Sequence, residues 1–283
     1  MRWLRSGRRR YADRVSRAID YVHGYSAREG IRLSDQASAL ADLLHADTRY
    51  APGSRVLEVG CGTGAQTVIL AGRNPGAQFV SIDVSEESLA EARRQVQLTG
   101  CRNVSLVQAD FFRLPFQSSC LDHVFVCFVL EHLKDPAGAL KALMGSLRPG
   151  GSLTVIEGDH GSAYFHPASE QARRAIQCLI DLQQQAGGDS LIGRRLYPLL
   201  VQAGYRDVHV APLVAYADGS RPDLADAITL KTFTAMVEGV AAQAVGQGLI
   251  DAASWSGGIR DLRRAADKDG TFCYTFFKAV AVR

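Results

Sequence analysis

Apolar residues recur at helical spacing near the start of the chain. Tyr11, Val15, Ile19 and Val22 form one stripe, and Leu33, Ala37, Leu40 and Leu44 form a second. Helices are therefore expected between Ala12 and Asp47, with a break or hinge at the polar segment His23-Gly24-Tyr25-Ser26. From Ser54 the pattern changes to short apolar runs alternating with amphipathic stretches. Arg55–Val59, Gln78–Ile82, Asn103–Gln108, Asp122–Phe128 and Ser152–Glu157 read as strands. The intervening helices carry their own punctuation. Asn74-Pro75-Gly76 stops the first. Ser85 caps the second, Glu86 and Glu87 suit its positive end, and Gly100 closes it. Asp135-Pro136 opens the third, which buries Leu140, Leu143 and Leu147 and is expected to end at Pro149-Gly150-Gly151. Strand–helix alternation implies a parallel sheet with helices on both faces.

The last third is less regular. Ala168–Gln185 and Ser190–Ala203 read as helices, the second closed by Gly204. Val208, Val210, Val214 and Tyr216 alternate along Val208–Tyr216, and Pro212 within that run suits only an edge strand. Thr271–Val282 is a β-prone closing strand. The mostly helical residues between these two strands far exceed a hairpin loop of roughly 2–5 residues, so a functional insertion such as a lid is expected.

Charge divides the chain. Arg2, Arg5, Arg8, Arg9, Arg10, Arg14 and Arg17 crowd the first 17 residues against Asp13 alone, which leaves the remainder mildly acidic. A basic arm can hold nucleic acid or anionic lipid, whereas a mildly acidic body argues against a phosphate-tracking surface. The six cysteines (61, 101, 120, 127, 178 and 273) form no C-x-x-C pair, so a zinc ribbon or redox dithiol is not expected. Neither a run of about 18 apolar residues nor an N-terminal apolar signal core is present, and a cytoplasmic location is the expectation.

The sharpest chemical signal is Glu58-Val59-Gly60-Cys61-Gly62-Thr63-Gly64, which ends the first strand and opens a helix. Glycines there make a tight turn and let backbone approach a bound cofactor. The third glycine, Gly64, stands too early for the dinucleotide fingerprint G-x-G-x-x-G, and no P-loop lysine follows. Glu58 is unsuited to a pyrophosphate and suited to an ammonium group. Asp83 ends the second strand, at the spacing where an acid takes ribose hydroxyls. Asp110 follows the third strand and can accept from an adenine amine, with Phe111 beside the ring.

From Ser54 to Glu157 these residues resemble the class I S-adenosylmethionine-dependent methyltransferase family. The resemblance also rests on Ala109-Asp110, Leu114-Pro115-Phe116, Asp122 and Leu147-Arg148-Pro149-Gly150-Gly151. Within the class, the chain is most similar to the small-molecule group of ubiquinone/menaquinone C-methyltransferase-like enzymes. The resemblance implies a Rossmann-like, seven-stranded mixed α/β sheet with helices on both faces, the last two strands antiparallel. Charge and periodicity give an N-terminal basic arm and helical cap over residues 1–50. The methyltransferase domain then spans 51–283, with helical lid insertions at 160–187 and 217–268. The implied cofactor is S-adenosyl-L-methionine, leaving as S-adenosyl-L-homocysteine. By resemblance Glu58, Gly60, Cys61, Gly62 and Gly64 hold its methionine part, Asp83 and Val84 the ribose, Asp110 and Phe111 the adenine. Cys127 and Phe128 line it from the fourth strand, and Tyr25 covers it from the N-terminal segment.

The acceptor is expected at the carboxyl ends of strands four and five. His160 is the first candidate base and Glu131 a second, with His132 and His123 read as structural. Tyr21, Glu157, Tyr164, His166 and Tyr197 are candidate substrate contacts, with Tyr216, Tyr274 and Arg194-Arg195 as weaker ones. Cys127-Phe128-Val129-Leu130 is not the Asn/Asp-Pro-Pro-Tyr/Phe of DNA adenine amino-methyltransferases. No paired metal-binding carboxylates and no dithiol site for arsenic are assigned. The expected activity is methyl transfer to a small organic acceptor enclosed under the lids. Two alternatives stay open, an RNA methyltransferase using the arginine-rich arm and a non-catalytic cofactor-binding regulatory subunit. The sequence leaves oligomeric state undecided, a homodimer included.

Overall fold

The computed structural model describes residues 37–283, except residues 38, 115 and 116. The arginine-rich arm, the 23–26 break, Tyr21 and Tyr25 lie outside the described residues, as do two residues of Leu114-Pro115-Phe116. Residues 39–45 form helix α1. Strands β1 (Arg55–Val59), β2 (Gln78–Asp83), β3 (Val104–Gln108), β4 (Leu121–Cys127) and β5 (Leu147–Gly158) follow. Helices α2 (Ala65–Arg73), α3 (Glu86–Thr99) and α4 (Pro136–Ser146) alternate with them. The caps read from sequence are made. Ser85 Oγ accepts from Ser88 N at 3.1 Å, Asp135 Oδ1 accepts from Gly138 N at 2.8 Å, and Gly100 ends α3 in the left-handed region.

The sheet order is β3-β2-β1-β4-β5-β8, with β8 (Thr271–Val282) antiparallel to β5 and edge strand β7 (Arg206–Asp218) antiparallel to β8. An eighth segment, β6 (Tyr164–His166), pairs with residues 271–273 of β8, just beyond the stretch that β5 occupies. β5 and β6 thus lie end to end, and eight strands fill the seven expected positions. Pro212 sits on β7 opposite Phe277, where its missing N–H faces no further strand.

Two boundaries differ from the expectation. α4 stops at Ser146, and Leu147 already pairs with Leu121, so Pro149-Gly150-Gly151 lies within an irregular start of β5. The stretch read as one helix from Ser190 divides into a 3₁₀ turn (Ile192–Arg195) and α6 (Leu196–Ala203).

Buried side chains form two layers. One joins Val56, Phe79, Phe125 and Ile156 of the sheet to α1, α2 and the C-terminal helices. The other joins Leu57, Val80, Val124 and Val155 to α4 and α6. α5 (Glu170–Gln185) packs on α10 (Ala252–Arg264). Between β7 and α10 runs a helical stretch made of α7 (Pro222–Ala225), a π-helical segment (Asp226–Thr234), α8 (Ala235–Glu238) and α9 (Ala241–Gly246). These helices bury Ile228, Phe233, Val237 and Trp255 in the same layer as Phe272, Tyr274 and Phe276 of β8. The insertion is therefore a packed part of the domain. Lys278 of β8 ties α1 down, donating to Leu44 O at 3.0 Å, to Thr48 Oγ1 at 2.7 Å and to Asp47. Among the described residues, no helix is long and apolar enough to cross a membrane.

Candidate active site

The glycine-rich turn joins β1 to α2 with Gly60, Gly62 and Gly64 all at positive φ (67°, 51° and 84°). An L side chain is strained in that region, which explains three glycines so close together. A Cβ on Gly64 would come within 3.0 Å of Ala92, and one on Gly60 within 2.6 Å of Val129 Cγ2. Gly62 faces open space. Asp83, at the carboxyl end of β2, locks the turn. Its Oδ2 accepts from Gly62 N at 2.8 Å and its Oδ1 from Ser85 N at 2.9 Å. Burial pushes its carboxyl above the usual range, and these N–H donors oppose the shift. A carboxylate offers about four lone-pair sites, so acceptor capacity remains beside the open face of Gly62. Val84 is exposed there.

Glu58 differs from expectation. It is 2% exposed, and its Oε2 accepts from Thr67 Oγ1 at 2.7 Å and Ser81 Oγ at 2.6 Å. It anchors the turn to α2 and β2 from beneath rather than presenting that oxygen to an ammonium group. Burial raises its pKa to about 7, with the Asp83 charge adding and the two hydroxyls opposing. Thr67 and Ser81 belong to no motif, although a serine inside Phe79-Val80-Ser81-Ile82 is a polar residue in a buried run. Cys61 and Cys127 are buried thiols, both held protonated by desolvation.

Asp110 Oδ1 accepts from Phe112 N at 2.9 Å and caps a 3₁₀ turn over Phe111–Arg113. Phe111 belongs to the α4-side core, which corrects its expected place beside an adenine ring. Phe112, with its ring centroid 4.5 Å away, is the exposed aromatic at this edge.

At the ends of β4 and β5 the picture is mixed. His160 is buried, with Nδ1 2.8 Å from the Tyr274 hydroxyl. Burial, then the charges of Glu131 and Asp159, hold that phenol well above its ordinary pKa. Asp159 is locked by Arg194 through two hydrogen bonds of 2.7 Å, and Arg195 pairs with Asp189, so neither arginine stands ready for an anion. Glu131 is buried on a 3₁₀ turn (Leu130–His132) and accepts from Gln183 Nε2 at 3.3 Å. Glu157 is wholly buried, and its Oε1 accepts from Val129 N and Leu130 N, which removes it from the substrate contacts. Three further expected contacts fall away on geometry. Alternation along β6 turns Phe165 toward the core and Tyr164 and His166 to the surface. Tyr197 lies on the solvent side of α6, opposite Leu196, Leu199 and Leu200.

A parallel sheet with this turn after its first strand and a carboxylate ending its second defines an α/β nucleoside-cofactor-binding domain. A model of the methyltransferase domain family matches residues 57–155. A demethylmenaquinone methyltransferase of Bacillus cytotoxicus is 33% identical over 107 residues, 38% of this chain and 45% of that protein. A 37.1 kDa protein in a transposon of Streptomyces fradiae is 32% identical over 166 residues, 58% of this chain and 47% of that protein. The chain thus spans just under half the length of these curated relatives. Haemonchus contortus phosphoethanolamine N-methyltransferase 2, solved with phosphomonomethylethanolamine and S-adenosylhomocysteine, shares the fold. Its TM-score is 0.58 at 16% identity, over 95% of this chain and 60% of that one. Residues 57–155 thus match the methyltransferase domain family, and the fold around them is one that this phosphoethanolamine N-methyltransferase also has.

Proposed function

We propose that this chain transfers the methyl group of S-adenosylmethionine to a small organic acceptor held beneath its helical insertions. The observation that carries the reading is the Asp83 carboxylate, braced against Gly62 N–H beside the open face of the glycine turn. That arrangement fits a nucleoside whose ribose hydroxyls donate to Asp83, with Asp110 and the exposed Phe112 as the adenine edge. When bound, the cofactor supplies an activated methyl group and a sulfur leaving group. The chain's own residues bind, orient and keep out water. The relative named as a demethylmenaquinone methyltransferase supports a small acceptor.

The test is calorimetric titration with S-adenosylhomocysteine, followed by a mass-spectrometric screen of small acceptors with labelled cofactor. Saturable one-to-one binding and a labelled small product are expected. A protein that binds no S-adenosylhomocysteine, or that labels only RNA and loses that activity steeply with salt, would overturn the reading.

His160 is the candidate base where the acceptor must lose a proton, with Tyr274 fixing its ring. With such an acceptor, His160→Ala should lower turnover about 100-fold or more while S-adenosylhomocysteine affinity changes little. Normal turnover in that variant removes His160 from the reaction.

A further inference from the structure

Phe128 follows β4 at φ 56°, a left-handed conformation that is an outlier for a bulky residue and persists only where its surroundings enforce it. Its own N–H bonds to Ile156 O at 2.9 Å. Val129 then returns to the right-handed region at φ −118°, ψ −44°. A left-handed residue followed by a right-handed one turns consecutive N–H groups to the same side and makes a concave anion seat. The Val129 and Leu130 N–H groups converge accordingly on one atom, Glu157 Oε1, at 3.0 and 2.7 Å. The strained residue and the buried carboxyl account for each other. The consequence reaches the cofactor turn, because Val129 Cγ2 packs so closely on Gly60 that a Cβ there would lie 2.6 Å from it.

Resting on the function proposed above, we infer that Glu157 is a positioning residue for the cofactor site. Its Oε1 gathers the Val129 and Leu130 amides, holds Phe128 in its left-handed conformation and seats Val129 against Gly60. Oε2 is buried without a close partner, the two short contacts of this side chain are made by Oε1, and the Glu131 N–H acts on the same carboxyl. Burial and the neighbouring Glu131 charge push the carboxyl well above the usual range. A neutral acid still offers a carbonyl oxygen to both amides, and glutamine offers the same atom.

The experiment compares Glu157→Gln with Glu157→Met, which fills the volume without an acceptor. Amide hydrogen exchange at Val129 and Leu130 is read on the cofactor-free protein, and S-adenosylhomocysteine affinity by calorimetry. Glu157→Met should speed exchange at both amides by about tenfold or more and weaken binding by about tenfold. Glu157→Gln should keep both near wild type, a rescue that a merely space-filling role would not show. Val129→Ala, acting at the far end of the chain of contacts, should weaken binding with the fold retained. Tyr205→Phe removes a buried hydroxyl bonded to Leu140 O, away from this turn, and should cost stability without moving either reading. The inference falls if Glu157→Met leaves both amides protected, if Glu157→Gln behaves like Glu157→Met, or if Val129→Ala binds as wild type does. Exchange in the cofactor-free protein tests the Oε1 contact even if wild type binds no S-adenosylhomocysteine, so the two readings can fail separately.

Discussion

Asp83→Ala should reduce S-adenosylhomocysteine affinity by about 100-fold or more and leave the protein folded. Each hydrogen bond to a charged group contributes roughly 1.5–3 kcal/mol, so two ribose hydroxyls lost together account for at least that factor. The carboxylate also receives Gly62 N–H and Ser85 N–H, so the variant loosens the entrance to α2 and α3 as well. Those two amides lie at a loop edge where water can replace the carboxylate, and the expected stability loss is only about 1–2 kcal/mol. Asp83→Asn separates the contributions. Its Oδ1 can still serve Ser85, but its amide nitrogen cannot accept from Gly62. Calorimetry on both variants, with thermal unfolding as the fold check, reads the result. Wild-type affinity in Asp83→Ala would remove the ribose assignment and, with it, the observation that carries the proposed function.

Asp83 and the glycines were legible because their signal is local. A strand, a turn that needs positive φ and an acid ending the next strand all read along one continuous stretch. The succession of strands and helices along the chain followed for the same reason, each helix bearing its own cap and stop. Contacts between distant segments were not legible. Glu157 looked like a group at a strand end facing a pocket, yet its partners are amides 27 and 28 positions earlier, and no pattern in either segment announces the pairing. Glu58 looked exposed to a ligand, but Thr67 and Ser81 enclose it, and only the register of β1 on β2 brings Ser81 opposite. Tyr164 and His166 are aromatic residues close behind a strand end, and Tyr197 is an aromatic candidate on a helix. Which face Tyr164 and His166 take depends on β6, a strand too short to show alternation in sequence, and the outward side of Tyr197 depends on how α6 packs. Phe111 and Phe112 present the same difficulty in miniature, since adjacent residues on a tight turn diverge and only packing decides which one is buried.

Glu58 supplies the second large effect, through pH. Its carboxyl is raised from 4.5 to about 7, chiefly by burial, so the folded state favours the neutral form. The associated stability is fully present below pH 4.5 and is lost as pH rises through about 7. At 1.36 kcal/mol per unit the loss amounts to about 3 kcal/mol. Glu58→Gln keeps an acceptor for Thr67 and Ser81 and cannot titrate, so its stability should lack this component. Asp83 and Glu157 are raised in the same direction, and the useful quantity is therefore wild type minus Glu58→Gln. Urea unfolding at pH 5 and pH 8 should show wild type losing about 2.5 kcal/mol relative to the variant, the remainder being lost already below pH 5. Equal slopes would mean that Glu58 is ionised in the fold, held by its two hydroxyls alone. The same titration decides what Glu58 does for the cofactor. An ammonium group drawn to it would favour the charged form, and binding near pH 6.5 would release a proton, seen as a buffer-dependent heat. Because Oε2 is already committed to Thr67 and Ser81, a heat independent of buffer is the expected result, with Glu58 serving as the anchor beneath the turn.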